Sequence, residues 1–372
     1  MKKQLFLLMI LFVLNKTKAQ VSNITMLKDI AVSGPSMPTE CTVFNNKMYF
    51  RANDGVTGGE LWVTDGTTAG TQLVKDINPG PTGSLPIYLT VCNGKLFFNA
   101  NDGVHGEELW MSDGTSAGTQ LLKDIKTGYN DSYPAEFTVY NNKLIFQADD
   151  SIHAIEPWVT DGTIAGTQLL ADINQNPSYQ NSFPKFFTVY NNLVYFSADD
   201  FTHETELWVT DGTPIGTYLF KDINTTSFSA SDPMNFTIYN NKLYFKCDPA
   251  ASNIDAGQLW VTDGTVAGTQ VVKNINPGHD GIIDDMFVLN NKIYFAADNI
   301  STGREVWTSD GTAAGTVLLK DINPGVASSY PYNIYVYNNK FYFPANDGVN
   351  GVELWASDGT TAGTAMLKDL SP

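Results

Sequence analysis

The sequence predicts an all-β fold: a seven-bladed β-propeller with four antiparallel strands in each blade and an N-terminal strand that closes the ring as a clasp. Three observations lead to this prediction. One motif of about 48 residues recurs seven times along the 372-residue chain. Every copy is rich in strand-forming residues and places its turn signals at the same points. The strand ending Lys-Asp-Ile occurs once more before the first copy, at Lys28 to Ile30.

The first 19 residues are interpreted as a secretory signal peptide that is not part of the fold. The chain begins with positive charge, an apolar run extends from Leu5 to Leu14, and small residues near Ala19 suit a signal peptidase. A membrane anchor needs about 20 apolar residues, so this run is too short to be one. We therefore expect a secreted or extracellular protein, with a periplasmic or surface-associated location as alternatives. Residues 20–372 are expected to form a single propeller domain.

The tryptophans mark the copies, because each lies at the same position of the motif: Trp62, Trp110, Trp158, Trp208, Trp260, Trp307 and Trp355. An aromatic side chain that recurs at one strand position is expected to fill the space between neighbouring blades. Three residues after each Trp comes Asp-Gly-Thr, whose aspartates are Asp65, Asp113, Asp161, Asp211, Asp263, Asp310 and Asp358. Each Asp is expected to accept hydrogen bonds from backbone N–H groups of its own turn.

Within one copy, the strand signals predict a four-stranded meander. In the second copy the predicted strands are Leu89 to Cys92, Lys95 to Ala100, Glu108 to Ser112 and Thr119 to Ile125. The first two are joined by Asn-Gly, and in the other copies by Asn-Asn, which tolerate the positive φ of a two-residue hairpin. Sheets that are apolar on both faces need a neighbour on each side. A ring provides this without end caps, which favours a propeller over a linear β-solenoid.

The motif resembles the ELWxxDGT repeat family of exported bacterial proteins, named for residues that stand here as Glu60-Leu61-Trp62 and Asp65-Gly66-Thr67. The resemblance covers nearly all of the chain after the signal peptide. It implies β-propeller-like repeats, an exported or cell-surface location and no catalytic activity. Many members carry an added C-terminal secretion-sorting domain, whereas this chain ends at Pro372, directly after the seventh copy.

Charge argues against nucleic acid as a partner. The chain carries 22 Lys and Arg against 39 Asp and Glu, a net charge of −17. Phosphate contacts need clustered basic residues, yet the only arginines are Arg51 and Arg304. The 3 cysteines share no spacing with a disulfide framework or a metal-ligand pair, and no transmembrane segment is predicted.

No HExxH or CxxC metal motif and no glycine-rich phosphate motif is present, and the sequence predicts neither an enzyme nor a cofactor. Calcium remains an alternative at the Asp-Gly-Thr turns, since Ca²⁺ takes clustered oxygen ligands. Each turn offers only one or two such oxygens, which favours a turn-forming role. The histidines His105, His153 and His203 recur in one loop of consecutive copies. They are interpreted as surface residues, because neighbouring blades are about 10 Å apart, too far for a shared zinc.

Two repeated acids change together. The Glu before each Trp and the Asp of Lys-Asp-Ile both become amides in the fifth copy, as Gln258 and Asn274. This joint change indicates that the two side chains share one environment, such as a hydrogen-bond network between blades.

Function is expected at the loops that vary between copies, which are the second connection of each blade and the links between blades. The candidate binding face carries Tyr129, Tyr133, Tyr179, Phe183, Phe201, Phe228 and Tyr330. The leading hypothesis is an exported, non-catalytic binding or interaction module whose ligand is a protein or a glycan. The alternatives are a hydrolase or lyase with carboxylates at the mouth of the propeller channel, and a structural component of the surface or matrix.

Overall fold

The computed structural model describes residues 25–31, 33–226, 229–249, 257–279 and 283–370. Over these residues the chain forms seven four-stranded antiparallel sheets and no helix. The predicted all-β class and the four strands per repeat are therefore confirmed, and the set of sheets is that of a seven-bladed β-propeller. An apolar helix long enough to cross a membrane is accordingly not found in this part of the chain. The predicted signal peptide lies outside the described residues.

The chain divides into two compact units, of which the first is Met1–Asp172. This unit contains three sheets. Their strands are β1 Thr39–Phe44, β2 Lys47–Asn53, β3 Gly59–Thr64 and β4 Gln72–Lys75; β5 Ile87–Cys92, β6 Lys95–Asn101, β7 Glu107–Ser112 and β8 Gln120–Lys123; β9 Ala135–Tyr140, β10 Lys143–Asp149, β11 Ile155–Thr160 and β12 Gln168–Leu169.

The second unit is Ile173–Pro372 and contains the other four sheets. Their strands are β13 Lys185–Tyr190, β14 Leu193–Asp199, β15 Thr205–Thr210 and β16 Tyr218–Lys221; β17 Met234–Tyr239, β18 Lys242–Cys247, β19 Gln258–Thr262 and β20 Gln270–Lys273; β21 Ile283–Leu289, β22 Lys292–Asn299, β23 Gly303–Ser309 and β24 Val317–Lys320; β25 Tyr335–Tyr337, β26 Lys340–Asn346, β27 Val352–Ser357 and β28 Ala365–Lys368.

Each sheet is a meander whose strands pair in chain order. The first hairpin turns at the predicted Asn-Asn pair: Phe44 faces Lys47, and Asn45 and Asn46 have φ values of 49° and 58°. These are the left-handed angles that a two-residue hairpin requires and that asparagine tolerates. The sequence prediction of this turn is confirmed.

The fourth strand is shorter than predicted. In the second sheet it ends at Lys123 rather than at Ile125. The backbone N–H of Ile125 donates instead to the Glu108 carboxylate, at 2.8 Å. A side chain therefore takes the hydrogen bond that would have extended the ladder, and the chain leaves the sheet at this point.

The hydrophobic core lies between neighbouring sheets within each unit. Leu61 of the first sheet forms one cluster with Phe98 and Trp110 of the second. In the second unit, Trp307 packs in the same way against Leu259 of the preceding sheet. The expectation that tryptophan fills the space between blades is confirmed at these positions.

Residues 25–31 are part of the fold, but they form no strand. Lys28 Nζ donates to the carbonyl oxygen of Thr71 at 2.6 Å, and Ile30 packs against the cluster that contains Phe50 and Trp62. The last sheet takes its fourth strand from Ala365–Lys368. The prediction of a clasp strand is corrected accordingly for the described residues.

The physical reason lies in what Lys-Asp-Ile does elsewhere in the chain. Lys75 Nζ donates to the carbonyl oxygen of Thr119 in the following sheet, at 2.7 Å. Lys28 makes the equivalent bond to the first sheet. The extra copy of the motif therefore reproduces the side-chain contacts between repeats rather than a strand of its own.

Candidate functional site

A buried glutamate lies at the end where the third strand begins in every sheet except the fifth, which has Gln258. Glu60 is fully buried, and its carboxylate accepts hydrogen bonds from the backbone N–H groups of Ile77, Asn78 and Ser84 at 3.1, 3.2 and 2.8 Å. The Ser84 hydroxyl also donates to it, at 2.5 Å. One carboxylate thereby holds the link between the first and second sheets.

The same arrangement recurs in later repeats. The serine hydroxyl that donates to the glutamate belongs to Ser132, Ser231 and Ser329 for Glu108, Glu206 and Glu305 respectively. Burial raises the pKa of each of these three glutamates to about 7, although the hydrogen bonds act in the opposite direction. These carboxyls are therefore structural groups that are able to change charge near neutral pH.

The aspartate of Lys-Asp-Ile lies close to this glutamate. The charge of Asp124 contributes to the raised pKa of Glu108, and that of Asp222 contributes to the raised pKa of Glu206. Like charges repel, and this repulsion is absent from the fifth copy, where the neutral Gln258 and Asn274 stand in place of the two acids.

A Ser-X-Pro tripeptide lies just before the first strand of six sheets, and Ser84, Ser132, Ser231 and Ser329 of these tripeptides bond the glutamate. Residue X has a positive φ in six repeats: Met37 (44°), Leu85 (52°), Tyr133 (51°), Phe183 (44°), Asp232 (44°) and Tyr330 (49°). Bulky residues rarely adopt this left-handed conformation, which costs about 1–3 kcal/mol. The left-handed position therefore recurs at the same point of six repeats.

Five of these six side chains are apolar and exposed to solvent. The exposed fractions are 70% for Met37, 54% for Leu85, 48% for Tyr133, 45% for Phe183 and 63% for Tyr330. The sequence analysis singled out the three aromatic residues but missed Met37 and Leu85. The signal that identifies all of them is the recurring Ser-X-Pro tripeptide.

The neighbours of Leu85 impose its conformation. The carbonyl oxygen of Ser84 accepts a bond from Asn101 N at 3.0 Å, and Leu85 N donates to the carbonyl oxygen of Gly59 at 2.8 Å. Pro86 restricts the backbone on the other side. A Cβ at Gly59 would lie 2.8 Å from Leu85 Cδ2, so this glycine makes room for the leucine side chain.

The first strands of neighbouring sheets lie side by side within each unit, as the inner strands of a propeller do. In the first unit, Tyr88 N donates to Glu40 Oε2 at 3.0 Å. In the second unit, Asn235 Nδ2 donates to the carbonyl oxygen of Ile283 at 2.9 Å. Burial raises the pKa of Tyr88, and the nearby carboxylate of Glu136 raises it further. The inner wall of the first unit is thus aromatic and acidic.

One pocket lies beside Leu85 in the first unit, and another lies beside Phe201 in the second unit. The pocket in the first unit has a volume of about 400 Å³ and is lined by Leu85, Glu107 and Tyr129, among others. The pocket in the second unit has a volume of about 420 Å³ and is lined in part by Phe201. The ring of Tyr179 stacks on Phe201, with centroids 6.4 Å apart and an interplanar angle of 8°.

The predicted binding face therefore contains three kinds of position. Tyr133, Phe183 and Tyr330 occupy the left-handed X positions, Tyr129 lines the pocket of the first unit, and Tyr179 and Phe201 form the stacked pair. Phe228 lies outside the described residues. That these side chains bind a ligand stays a prediction.

The Asp-Gly-Thr aspartates close their own turns. Asp161 Oδ1 accepts hydrogen bonds from the N–H and the hydroxyl of Thr163, at 2.9 and 2.7 Å. A Cβ at Gly166 would overlap this carboxylate, which explains the second glycine of the motif. The same bonds are made by Asp65, Asp113, Asp211, Asp263, Asp310 and Asp358. Over the described ranges, no three or more His, Cys, Asp or Glu side chains are grouped so as to hold a metal ion.

The repeated histidines also close turns. Asp102 accepts from the backbone N–H of His105 through Oδ1 and pairs with the ring Nδ1 through Oδ2, both at 2.8 Å. The hydroxyl of Thr57 bonds Asp54 from the same loop position in the first sheet. The ring contact raises the pKa of His105. The same Asp–His contact is made by Asp150 with His153 and by Asp200 with His203.

The fold is similar to that of solved hydrolases and peptidases. A puromycin hydrolase aligns with 92% of this chain and 55% of its own chain, at 11% identity and a TM-score of 0.44. Prolyl oligopeptidase B from Galerina marginata, bound to a 35mer substrate, aligns with 90% of this chain and 50% of its own, at 13% identity and a TM-score of 0.48. A structure from a study of two prolyl endopeptidases aligns with 91% of this chain and 51% of its own, at 9% identity and a TM-score of 0.50.

These are likenesses of fold, and this chain spans about half the length of the proteins it matches. No family model and no curated protein sequence matches it.

The comparison corrects the function expected from the sequence. The sequence analysis favoured a non-catalytic module that binds protein or glycan, whereas the fold occurs as about half of a chain in a solved structure from a study of two prolyl endopeptidases.

Proposed function

We propose that this chain is a peptidase-associated propeller, which receives the peptide substrate of a hydrolase at its Ser-X-Pro positions. One observation carries the proposal: apolar side chains are displayed at strained, left-handed positions beside the first strands of both units. Burying one such side chain against an apolar residue of a peptide is favourable by about 1.5–3 kcal/mol. Because the backbone around each X residue is held by several hydrogen bonds, little order has to be created on binding.

The comparison supports peptide as the class of substrate. The solved proteins that share the fold include prolyl peptidases, and one of them is bound to a 35mer substrate. This chain aligns with about half of each of them. We propose that bond cleavage is carried out by a separate catalytic domain, and that the propeller selects and orients peptides for it.

The residues of this chain agree with the proposal that a separate domain carries out cleavage. The Asp–His pairs resemble part of a catalytic triad, but each pair closes its own loop. A GxSxG pattern occurs at Gly114 to Gly118, but it is the Asp-Gly-Thr turn between two strands of the second sheet and not the strand-to-helix turn of a nucleophile. The leader sequence supports an exported protein, and the motif supports membership of the ELWxxDGT repeat family.

The test asks whether a peptide-hydrolysing activity is removed together with this chain from its native source. An antibody against the chain is used to deplete the secreted and cell-surface fractions, and cleavage of a quenched fluorescent peptide library is followed before and after depletion. The purified chain alone is tested for cleavage of the same peptides. A folded protein is used as a second substrate.

We expect depletion to remove a peptide-cleaving activity that spares the folded protein, and we expect the purified chain alone not to cleave. Hydrolysis that is unchanged by complete depletion would overturn the proposal. Cleavage by the purified chain alone would overturn the proposal that a separate catalytic domain cleaves the peptide.

A further inference from the structure

The pocket of about 400 Å³ in the first unit combines apolar surface with a single acidic side chain. Leu85 and Tyr129 supply the apolar part, and Glu107 supplies the carboxylate. None of its lining residues is Lys or Arg. The neighbouring Lys126 is engaged by Asp149, at 2.5 Å. The negative charge of this pocket is therefore not balanced by a lysine or arginine of its own lining.

We infer that this pocket is a subsite for a peptide substrate. It binds a Lys or Arg side chain whose neighbour in the peptide sequence is an apolar residue. The inference deepens the proposed function and rests on it. The cationic group pairs with Glu107, and the apolar neighbour packs on Leu85 and Tyr129. Charge-assisted hydrogen bonds are the stronger kind, and the volume is within the range of ligand pockets.

Glu107 is held in place for such a contact. Its backbone N–H donates to Asp131 Oδ1 at 2.7 Å, and its carbonyl oxygen accepts from Ser132 N at 2.9 Å. Asn99 Nδ2 donates to Glu107 Oε2 at 3.1 Å. This donor is neutral, so it orients the carboxylate without cancelling its charge.

The position of Glu107 departs from the repeat pattern. The residue three places before the tryptophan is Gly59, Ile155, Thr205, Gly257, Arg304 and Val352 in the other copies. Only the second copy places an acid there. Since the fold accepts apolar, polar and basic residues at this point, folding does not explain the acid. Arg304, the basic counterpart, pairs with Asp284 at 2.7 Å and is already neutralised.

Two glycines of the pocket lining lie where another segment of the chain passes close to the backbone. A Cβ at Gly106 would lie 2.6 Å from the carbonyl oxygen of Asn130, and one at Gly103 would lie 2.7 Å from Asn78 Oδ1. The segments on the two sides of the pocket therefore approach each other closely. An extended peptide side chain fits such a slot better than a bulky folded surface does.

The test measures binding of labelled hexapeptides to the purified chain by fluorescence anisotropy. The peptides alternate lysine with leucine, glutamine with leucine, or lysine with serine, and their ends are blocked. Binding is measured at low and at high salt, because attraction to a chain of net charge −17 without specific contact disappears at high salt.

The variants separate charge from apolar contact. Glu107→Gln is expected to weaken binding of the lysine–leucine peptide about fivefold while changing that of the glutamine–leucine peptide less than about twofold. Leu85→Ser is expected to weaken both leucine peptides. Glu204→Gln removes the same charge from a residue that does not line the pocket, and it is expected to change neither.

Equal affinity of wild type for the lysine–leucine and glutamine–leucine peptides would overturn the inference. So would equal losses from Glu107→Gln and Glu204→Gln. Thermal melting of each variant identifies a folding defect, and Glu107→Thr, which copies the residue of the fourth repeat, then replaces Glu107→Gln. Either overturning result leaves the depletion test of peptide hydrolysis unaffected, so the two proposals fail separately.

Discussion

Leu85 illustrates how a residue acquires a backbone conformation that its own side chain disfavours. Its φ of 52° is stabilised by neighbours: Ser84 is bonded to Glu60, and the leucine N–H to Gly59. The sequence predicted positive φ at Asn45 and Asn46 because asparagine tolerates it. It did not predict positive φ at Leu85, because that conformation is imposed by contacts between distant residues.

Replacing Asp161 by alanine is expected to lower the free energy of unfolding by about 0.5–2 kcal/mol, by analogy with the loss of a helix N-cap. The reason is that Thr163 N–H loses its acceptor. Asp161→Asn keeps an acceptor oxygen and is the matched control. Urea denaturation followed by tryptophan fluorescence measures both. If calcium were the reason for this residue, the melting temperature of wild type would rise with millimolar Ca²⁺ and fall with a chelator.

The buried glutamates predict a dependence of stability on pH. The pKa of Glu108 is about 7 in the folded protein, above the ordinary value of about 4.3. A group whose pKa is raised by folding contributes stability below its unfolded value, and loses that contribution as pH rises to its folded value. We therefore expect the contribution of Glu108 to decline between about pH 4 and pH 7.

The charged groups around Glu108 define the control. Asp124 raises the pKa of Glu108. The pKa of His105 is also raised, so the contribution of His105 to stability likewise declines as pH rises. Glu108→Gln copies the natural Gln258 and is expected to flatten the decline, as measured by urea midpoints from pH 5 to pH 8. His105→Thr copies Thr57 and separates the histidine contribution. An identical slope in Glu108→Gln and wild type would contradict the assignment.

At the scale of elements, lysine side chains help to hold neighbouring sheets together. Lys75 Nζ bonds the carbonyl oxygen of Thr119 at 2.7 Å and lies over the ring of Trp110, 5.9 Å from its centroid. Lys123 repeats this contact with Trp158, at 5.4 Å. The Lys of Lys-Asp-Ile thus links one sheet to the tryptophan of the next, and this accounts for its recurrence.

The leucine before the tryptophan in five of the seven repeats tests how well neighbouring sheets cover one another. Leu259 is fully buried, whereas Leu354 at the same position of the last sheet is 45% exposed. Leu259→Ala is expected to cost about 2–5 kcal/mol of unfolding free energy. Leu354→Ala is expected to cost about 1 kcal/mol, because less apolar surface is lost. Equal costs in denaturant titrations would show that Leu354 is covered in solution.

Strand number, hairpin turns and the Asp-Gly-Thr turns were predictable because each depends on residues close in sequence. Asn45-Asn46 sets its own hairpin, and Asp65 caps its own turn. The end of β8 was not predictable, since it depends on Glu108 competing for the N–H of Ile125. Nor was the site, because Leu85 lies in the link before the second sheet and Glu107 in the third strand of that sheet, and the two meet only in the folded chain.

At the scale of the whole molecule, residues 25–31 are expected to contribute to stability. A protein beginning at Gly34 loses the bond from Lys28 to Thr71 and the packing of Ile30 on Trp62. It is expected to unfold at lower urea concentration than one beginning at Gln20, and to lose amide protection first in β3 and β4. Equal midpoints with equal protection of residues 59–75 would show that the segment contributes nothing.

The central claim is that the Ser-X-Pro positions form the peptide-receiving surface of a peptidase-associated propeller. The most direct measurement is photo-crosslinking of a lysine–leucine hexapeptide that carries a benzophenone side chain, followed by mass spectrometric mapping. The account predicts crosslinks at the apolar X residues, which are Met37, Leu85, Tyr133, Phe183 and Tyr330. Crosslinks confined to the Asn-Asn hairpins or the Asp-Gly-Thr turns, or unchanged in number when all five X residues are replaced by serine, would contradict it.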